Sequence, residues 1–307
     1  MPELPDIELY LAGLRRRIVG RTLTRALVIG PALLRTVDPP LDAFENRRVT
    51  DVRRLGKRIV IAFEGEFFLV IHLMIAGRLR WEDGAAIRRP ARPGGRSRLE
   101  QARFAFDNGR LSITEAGTRK RATLHAVAGT AALAAHDPGG IEPLECSVEA
   151  FAQALRATNR TLKRSLTDPA TVSGIGNAYS DEILHRARLS PIALTGRLDD
   201  ESIARLHAAM VAVLREWTDR LQAQFGERFP GAGEVTAFRP EMAVHGRFGK
   251  LCPACGTAVK RIVRAENEVN YCPRCQTGGR VLADRSLSRL LKGDWPDRIE
   301  DWEGGVD

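Results

Sequence analysis

Four of the five cysteines stand in two Cys-Pro-X-Cys pairs, Cys252/Cys255 and Cys272/Cys275, with sixteen residues between the pairs. This pattern constrains the fold more than any other stretch. Two cysteine knuckles joined by a short hairpin can direct four thiolates tetrahedrally at one ion, and the spacing is typical of structural zinc. All four coordination positions are then filled by protein. No place remains for a reactive water, so the expected metal is one structural Zn2+ and not a catalytic ion. The remaining thiol, Cys146, is expected to be a buried small side chain. An odd cysteine count with paired spacing favours metal over disulfides and a reducing compartment.

The 307 residues carry 47 Lys and Arg against 38 Asp and Glu, a formal charge of +9, with 44% apolar and 28% charged residues. That composition is an ordinary globular one, for which disorder is not the default. The basic surplus fits a polyanionic partner, although a soluble basic protein with no such partner has the same balance. The first twenty residues lack the layout of a secretory signal. The apolar run from Phe67 to Ala76 is too short to span a bilayer. A cytoplasmic protein without a membrane partner is expected.

Helical periodicity runs from about Pro5 to Val19, with Ile7, Leu11, Leu14 and Ile18 on one face and Gly20 as a stop. Short β-like runs follow at 23–29, 49–52, 58–63, 67–76, 103–107 and 111–114. Asn108-Gly109 marks a hairpin between the last two. A stretch rich in Pro, Gly and Arg between Gly84 and Gln101 reads as a basic loop. After the linker Asp137–Glu145 the pattern turns helical as far as Phe225. Its clearest stripe is Ile203, Leu206, Met210, Leu214, Trp217 and Leu221, which is core packing. The expected fold class is α+β and multidomain. It comprises an N-terminal helix with an antiparallel β-sandwich over 1–136, a helical domain over 137–245, a zinc finger over 246–280 and a tail over 281–307. In that tail Leu282, Leu287, Leu290 and Leu291 can form one amphipathic helix ahead of an acidic end.

The opening Met1-Pro2-Glu3-Leu4-Pro5-Asp6-Ile7-Glu8 makes the reading specific. Gly56-Lys57 precedes a strand, Glu142-Pro143-Leu144 ends the linker, Ser173-Gly174-Ile175-Gly176-Asn177-Ala178-Tyr179 forms a glycine-rich turn, and the cysteine element follows. In this order the five segments resemble the formamidopyrimidine-DNA glycosylase and endonuclease VIII family, bifunctional glycosylases of base-excision repair, over about residues 1–280. The resemblance implies a helix–two-turn–helix element around Gly174–Asn177 and damaged double-stranded DNA as partner, lying in a basic cleft between two domains. It also implies a monomer that is bound to the bacterial nucleoid when at work. Removal of Met1 would expose the secondary amine of Pro2 as the nucleophile that attacks the sugar C1′, expels the base and forms an iminium, after which elimination nicks the strand. Glu3 would be the acid and base, and Lys57 would complete the catalytic set beside the lesion. His72, Lys163 and Asn177 match residues that hold the DNA backbone. The helix following Pro2 favours a neutral amine and the carboxylates of Glu3 and Asp6 oppose it.

The sequence departs from the family pattern at several points. Asn267 stands where the zinc-finger hairpin usually carries an Arg, and Arg264 or Arg261 is the nearby substitute. Asp6 stands where a Glu is usual. Members specific for oxidised purines fill the void left by the everted base with a Met and an Arg–Phe pair. Here Met74 lies one place out of register, and Gly117-Thr118-Arg119-Lys120-Arg121-Ala122 has no aromatic wedge. The loop that covers an oxidised guanine is not recognisable in 226–236. Rival readings are an enzyme of the same family restricted to abasic sites, oxidised pyrimidines or single strands, and a non-catalytic damage-binding protein. A zinc-ribbon transcription or RNA-binding protein leaves the N-terminus unexplained.

Overall fold

A computed structural model describes residues 1–84, 99–264, 267–282 and 298, with the side chains of Arg264 and Asn267 outside that description. The basic loop over 85–98, and Leu287, Leu290, Leu291 and the acidic end of the tail, also lie outside the described residues. The chain divides into two compact units, Met1–Pro138 with Trp217–Thr236, and Gly139–Glu216 with Ala237–Asp307.

The first unit starts with α1 (Leu4–Ile18). Leu4, Ile7, Leu11, Leu14 and Ile18 recur at helical spacing, and all are fully buried. Asp6 caps the helix start: its carboxylate accepts the Glu3 backbone N–H at 3.0 Å, a reach that the shorter acid closes without difficulty. Eight strands follow: β1 (Leu23–Val28), β2 (Val49–Leu55), β3 (Arg58–Phe63), β4 (Phe67–His72), β5 (Gly77–Asp83), β6 (Glu100–Phe106), β7 (Gly109–Glu115) and β8 (Thr123–Ala128). They form two antiparallel four-stranded sheets, ordered β1-β6-β7-β5 and β2-β3-β4-β8. The inner faces and α1 share one core that includes Ile59, Ile61, Leu69, Ile71, Phe104, Leu111 and Ile113. The outer face of the second sheet buries Val60, Phe68, Val70 and Val127 under Leu133 of the short helix α2 (Thr130–Ala134). That second burial explains why β3 and β4 read as unbroken apolar runs.

The expected single run from Phe67 to Ala76 is two elements. Strand β4 ends at His72, and a tight turn closes with the Gly77 N–H donating to the Leu73 carbonyl at 2.9 Å. A Cβ on Gly77 would stand 2.2 Å from that oxygen, so only glycine fits. Met74 holds the left-handed conformation at φ 53°. Strands β5 and β8 had no sequence expectation, because Arg78, Arg80 and His125 interrupt their apolar alternation.

In the second unit, α3 (Val148–Arg156) is capped by Ser147, whose hydroxyl accepts the Ala150 N–H at 3.2 Å. Helices α4 (Leu162–Thr167) and α5 (Asn177–Arg186) are separated by two turns, with Gly174 at φ 78°. Helix α6 (Asp200–Phe225), whose residues to Glu216 belong to this unit and those from Trp217 to the first, ends at Gly226, φ 55°. A hairpin of β9 (Lys260–Arg264) and β10 (Asn267–Tyr271) leads to α7 (Pro273–Thr277). Cys146 is only half-buried, correcting the expectation of a core thiol, and lies 3.7 Å from His207 Nε2. Among the described residues no helix is long and apolar enough to cross a membrane.

Leu11 is fully buried in the shared core. Leu11→Ala is expected to lower unfolding stability by about 2–5 kcal/mol, measured by urea denaturation followed through tryptophan fluorescence. An unchanged midpoint would contradict the placement of α1.

Candidate active site and zinc centre

Strand register brings the chemistry-bearing residues of the first unit to one end of its two sheets. Leu55 pairs with Arg58, Arg58 with His72, and His72 with Thr123, while Gly77 pairs with Glu115. Gly56 and Lys57 form the two-residue turn between β2 and β3, and Gly56 at φ 62° supplies the conformation such a turn needs. Pro2 and Glu3 enter the same neighbourhood ahead of α1, and both are buried, Glu3 to 3% exposure.

The electrostatics of the chain's α-amine show which groups surround this end. Burial holds the Met1 amine below its ordinary value. Glu3 opposes the shift, Arg78 assists it, Asp6 opposes it and Lys57 assists it. At the Met1 amine desolvation outweighs the carboxylates and favours the neutral form. Arg78 was missed in the sequence. Its Nε donates to the Val235 carbonyl at 2.8 Å and its Nη1 to the carbonyls of Ile75 and Gly77 at 2.9 and 2.7 Å. One guanidinium therefore braces the turn after β4 and ties down the segment before Thr236. That segment returns to α1: Phe229 packs against Tyr10, ring centroids 5.8 Å apart, and a Cβ on Gly13 would meet its ring at 2.8 Å.

His72 is pushed down to about 4, mainly by burial and then by the positive charges of Arg58 and Lys57. At neutral pH it is an uncharged imidazole, able to donate one N–H. Met74 is half-buried, whereas its neighbour Ile75 is 57% exposed. The exposed apolar side chain at this turn is therefore Ile75, a residue whose only sequence signal was its place one step after the displaced Met.

In the second unit the glycine-rich turn and the linker meet. The Ser173 hydroxyl donates to Glu142 Oε1 at 2.7 Å, and the Ser173 N–H donates to the Ile141 carbonyl at 2.9 Å. Lys163 is 9% exposed, and its ammonium donates to the Asn177 carbonyl at 2.7 Å and to Asp181 at 2.5 Å. Asp181 also faces His245 Nδ1 at 2.8 Å and accepts the Asn270 N–H at 3.2 Å. Glu182 accepts the N–H groups of Ala243, Val244 and His245 at 2.7, 2.9 and 2.9 Å. The Asn177 amide donates to the Glu268 carbonyl at 2.8 Å. Helix α5 is thus stitched to the cysteine element, and breaking a buried pair such as Lys163–Asp181 typically costs about 3–5 kcal/mol.

The four cysteine sulfurs lie within 4.8 Å of one another. Cys252 Sγ and Cys275 Sγ are 4.0 Å apart, and Cys255 Sγ and Cys272 Sγ 3.4 Å. A tetrahedral zinc with bonds of about 2.3 Å needs sulfurs roughly 3.8 Å apart, so the cluster fits the ion. His185 Nε2 faces Cys252 Sγ at 3.2 Å, the kind of outer contact that orients a thiolate ligand. One zinc per chain is expected by elemental analysis, with Cys255→Ser releasing it and lowering the melting temperature. An iron cluster, or a metal-free chain of full stability, would contradict the assignment.

Three family models match the chain: the formamidopyrimidine-DNA glycosylase N-terminal domain over residues 1–124, the H2TH domain of the same enzymes over 140–223, and the zinc finger found in FPG and IleRS over 249–278. The formamidopyrimidine-DNA glycosylase of Heliobacterium modesticaldum is 34% identical over 282 residues, covering 90% of this chain and all of the relative. That of Thermus thermophilus is 34% identical over 287 residues, 91% of this chain and all of the relative. An uncharacterized formamidopyrimidine-DNA glycosylase-like protein of Mycobacterium tuberculosis is 41% identical over 153 residues, 50% of this chain and 94% of that one. Among solved structures, the Lactococcus lactis enzyme bound to DNA containing an abasic site shares the fold. Its TM-score is 0.75 at 24% identity, over 90% of this chain and 99% of that one. With the helix–two-turn–helix element and the cysteine cluster in their expected order, the chain belongs to the formamidopyrimidine-DNA glycosylase family.

Proposed function

We propose that the chain is a DNA glycosylase with lyase activity, acting through the amine of Pro2 on damaged double-stranded DNA. The observation that carries this reading is the setting of the chain's α-amine, depressed by burial and faced by Glu3, Arg78, Asp6 and Lys57. Loss of Met1 moves the amine to Pro2, itself buried at the same end. The target nucleotide must leave the stack, because C1′ is inaccessible in a paired duplex.

The neutral secondary amine then donates its lone pair to C1′. The glycosidic bond breaks, its electron pair departs with the base, and the proton that the Pro2 nitrogen sheds neutralises the departing base. The sugar ring opens as O4′ takes a proton from Glu3, leaving an iminium between C1′ and Pro2. The positive nitrogen acidifies the C2′ proton. Its removal by the Glu3 carboxylate pushes electrons into a new C1′-conjugated double bond and expels the 3′ phosphate, nicking the strand. Water finally hydrolyses the iminium and returns the amine.

Lys57 is assigned to the phosphate beside the lesion, and the neutral His72 to a backbone oxygen as an N–H donor. Lys163 and Asn177 are assigned to the start of α5, whose positive end suits a phosphate. The Lys163 ammonium, engaged by Asp181, acts by holding that helix start in place. Ile75 is the side chain available to enter the space left by the everted base.

Borohydride reduction of the mature protein with abasic-site DNA is expected to give a covalent adduct. Pro2→Gly, whose primary amine is a poorer match, should lower trapping at least tenfold, and a chain retaining Met1 should give none. Glu3→Gln should remove base excision while leaving DNA binding within about threefold. No adduct with any form would sink the reading.

A further inference from the structure

The segment joining the two sheets, Ala116–Ala122, carries three consecutive cations, Arg119, Lys120 and Arg121, and no acid. It is held by an arrangement a merely solvated loop does not need. Glu115, at the end of β7, is 1% exposed. Its carboxylate Oε1 accepts the backbone N–H groups of Arg121 at 2.8 Å and Ala122 at 3.2 Å. The Lys120 ammonium turns back to the Glu115 carbonyl at 2.5 Å. Burying a carboxylate is costly unless donors compensate it, and here the compensating donors are the loop's own backbone. The loop is thereby bent to one shape.

That shape turns the outer two cations outward. Arg119 and Arg121 are exposed, and among the described residues neither guanidinium has an ion-pair partner. Gly117 lies against the turn after β4, where a Cβ would stand 3.3 Å from the Ala76 Cβ. Glu115 itself pairs with Gly77 across the sheet. The loop is therefore fixed beside Ile75 and Arg78, at the end of the unit that holds the N-terminal amine.

We infer that Thr118–Arg121 is a preset clamp for the DNA sugar–phosphate backbone, in which Arg119 and Arg121 each neutralise a phosphate and Glu115 is the positioning residue that fixes their spacing. The clamp grips charge and reads no base edge, so it is indifferent to the base opposite the lesion. The inference rests on the reading of the chain as a DNA-acting enzyme.

Its test is the salt dependence of affinity, measured by fluorescence anisotropy on abasic-analogue duplexes with each of the four bases opposite. Two lost phosphate contacts make the slope of log K against log salt shallower by about 1.8. Between 50 and 200 mM salt, Arg119→Ala/Arg121→Ala should then lose about tenfold less affinity than wild type. The weakening at 50 mM should be the same for all four opposing bases. Glu115→Ala should reproduce the double variant, and Glu115→Gln, which keeps an acceptor oxygen, should stay near wild type. An unchanged slope in the double variant, or a loss that depends on the opposing base, overturns the clamp even if Glu115→Ala fails to fold. Wild-type trapping on duplexes of the same sequence carrying a true abasic site, whose C1′ aldehyde can form the iminium, separates the two levels: its absence overturns the enzymatic reading, whereas trapping with an unchanged slope overturns only the clamp.

Discussion

Burial of one face of α1 against the β-sandwich is the constraint on which the rest of the first unit depends. Leu4, Ile7, Leu11, Leu14 and Ile18 leave the helix no freedom to slide or rotate. The residues before it are consequently delivered to one place. A flexible N-terminal amine would be solvated and protonated at neutral pH. Here it is partly desolvated between two acids and two cations, and desolvation lowers its proton affinity. The capping contact of Asp6 with the Glu3 backbone adds a second fixed point at the helix start. Packing of the helix in this way fixes where the N-terminal residues lie.

The second unit applies the same logic to a different group. Asp181 and Glu182, adjacent on α5, are turned into a buried network with Lys163, His245 and three successive backbone amides. Near the other end of that helix, His185 faces a metal-ligating sulfur. The zinc holds two knuckles that a segment this short could not otherwise keep folded, and α5 is anchored to them at both ends. Lys163 shows the consequence. A lysine that sequence similarity assigns to phosphate contact has its charge engaged internally, by Asp181 and the Asn177 carbonyl.

Much of this was legible in the sequence, for identifiable reasons. Helices α1 and α6 carry long apolar stripes and glycine stops, so α1 lies within a residue of its expected bounds and α6 stops at the expected Gly226. The cysteine spacing specified its own geometry. Strands β5 and β8 were not legible, because charged and imidazole side chains occupy positions where alternation would be read. The break after His72 was hidden by an apolar run that continues through Met74 and Ile75. Only the strict steric demand at Gly77 marks the turn, and periodicity does not register it. Arg78 left no motif: its importance comes from three carbonyls brought together by the turn and the segment before Thr236. The Glu115 tether was equally silent, since a buried acid at a strand end looks in sequence like any exposed one.

The central claim is that a single nitrogen, the amine of Pro2, bonds to the sugar. Mass spectrometry of the borohydride-reduced adduct after nuclease and trypsin digestion tests it most directly. The sugar remnant is expected on the N-terminal peptide beginning at Pro2, on the proline nitrogen. A remnant on Lys57 or any other lysine, with the N-terminal peptide unmodified, would contradict it.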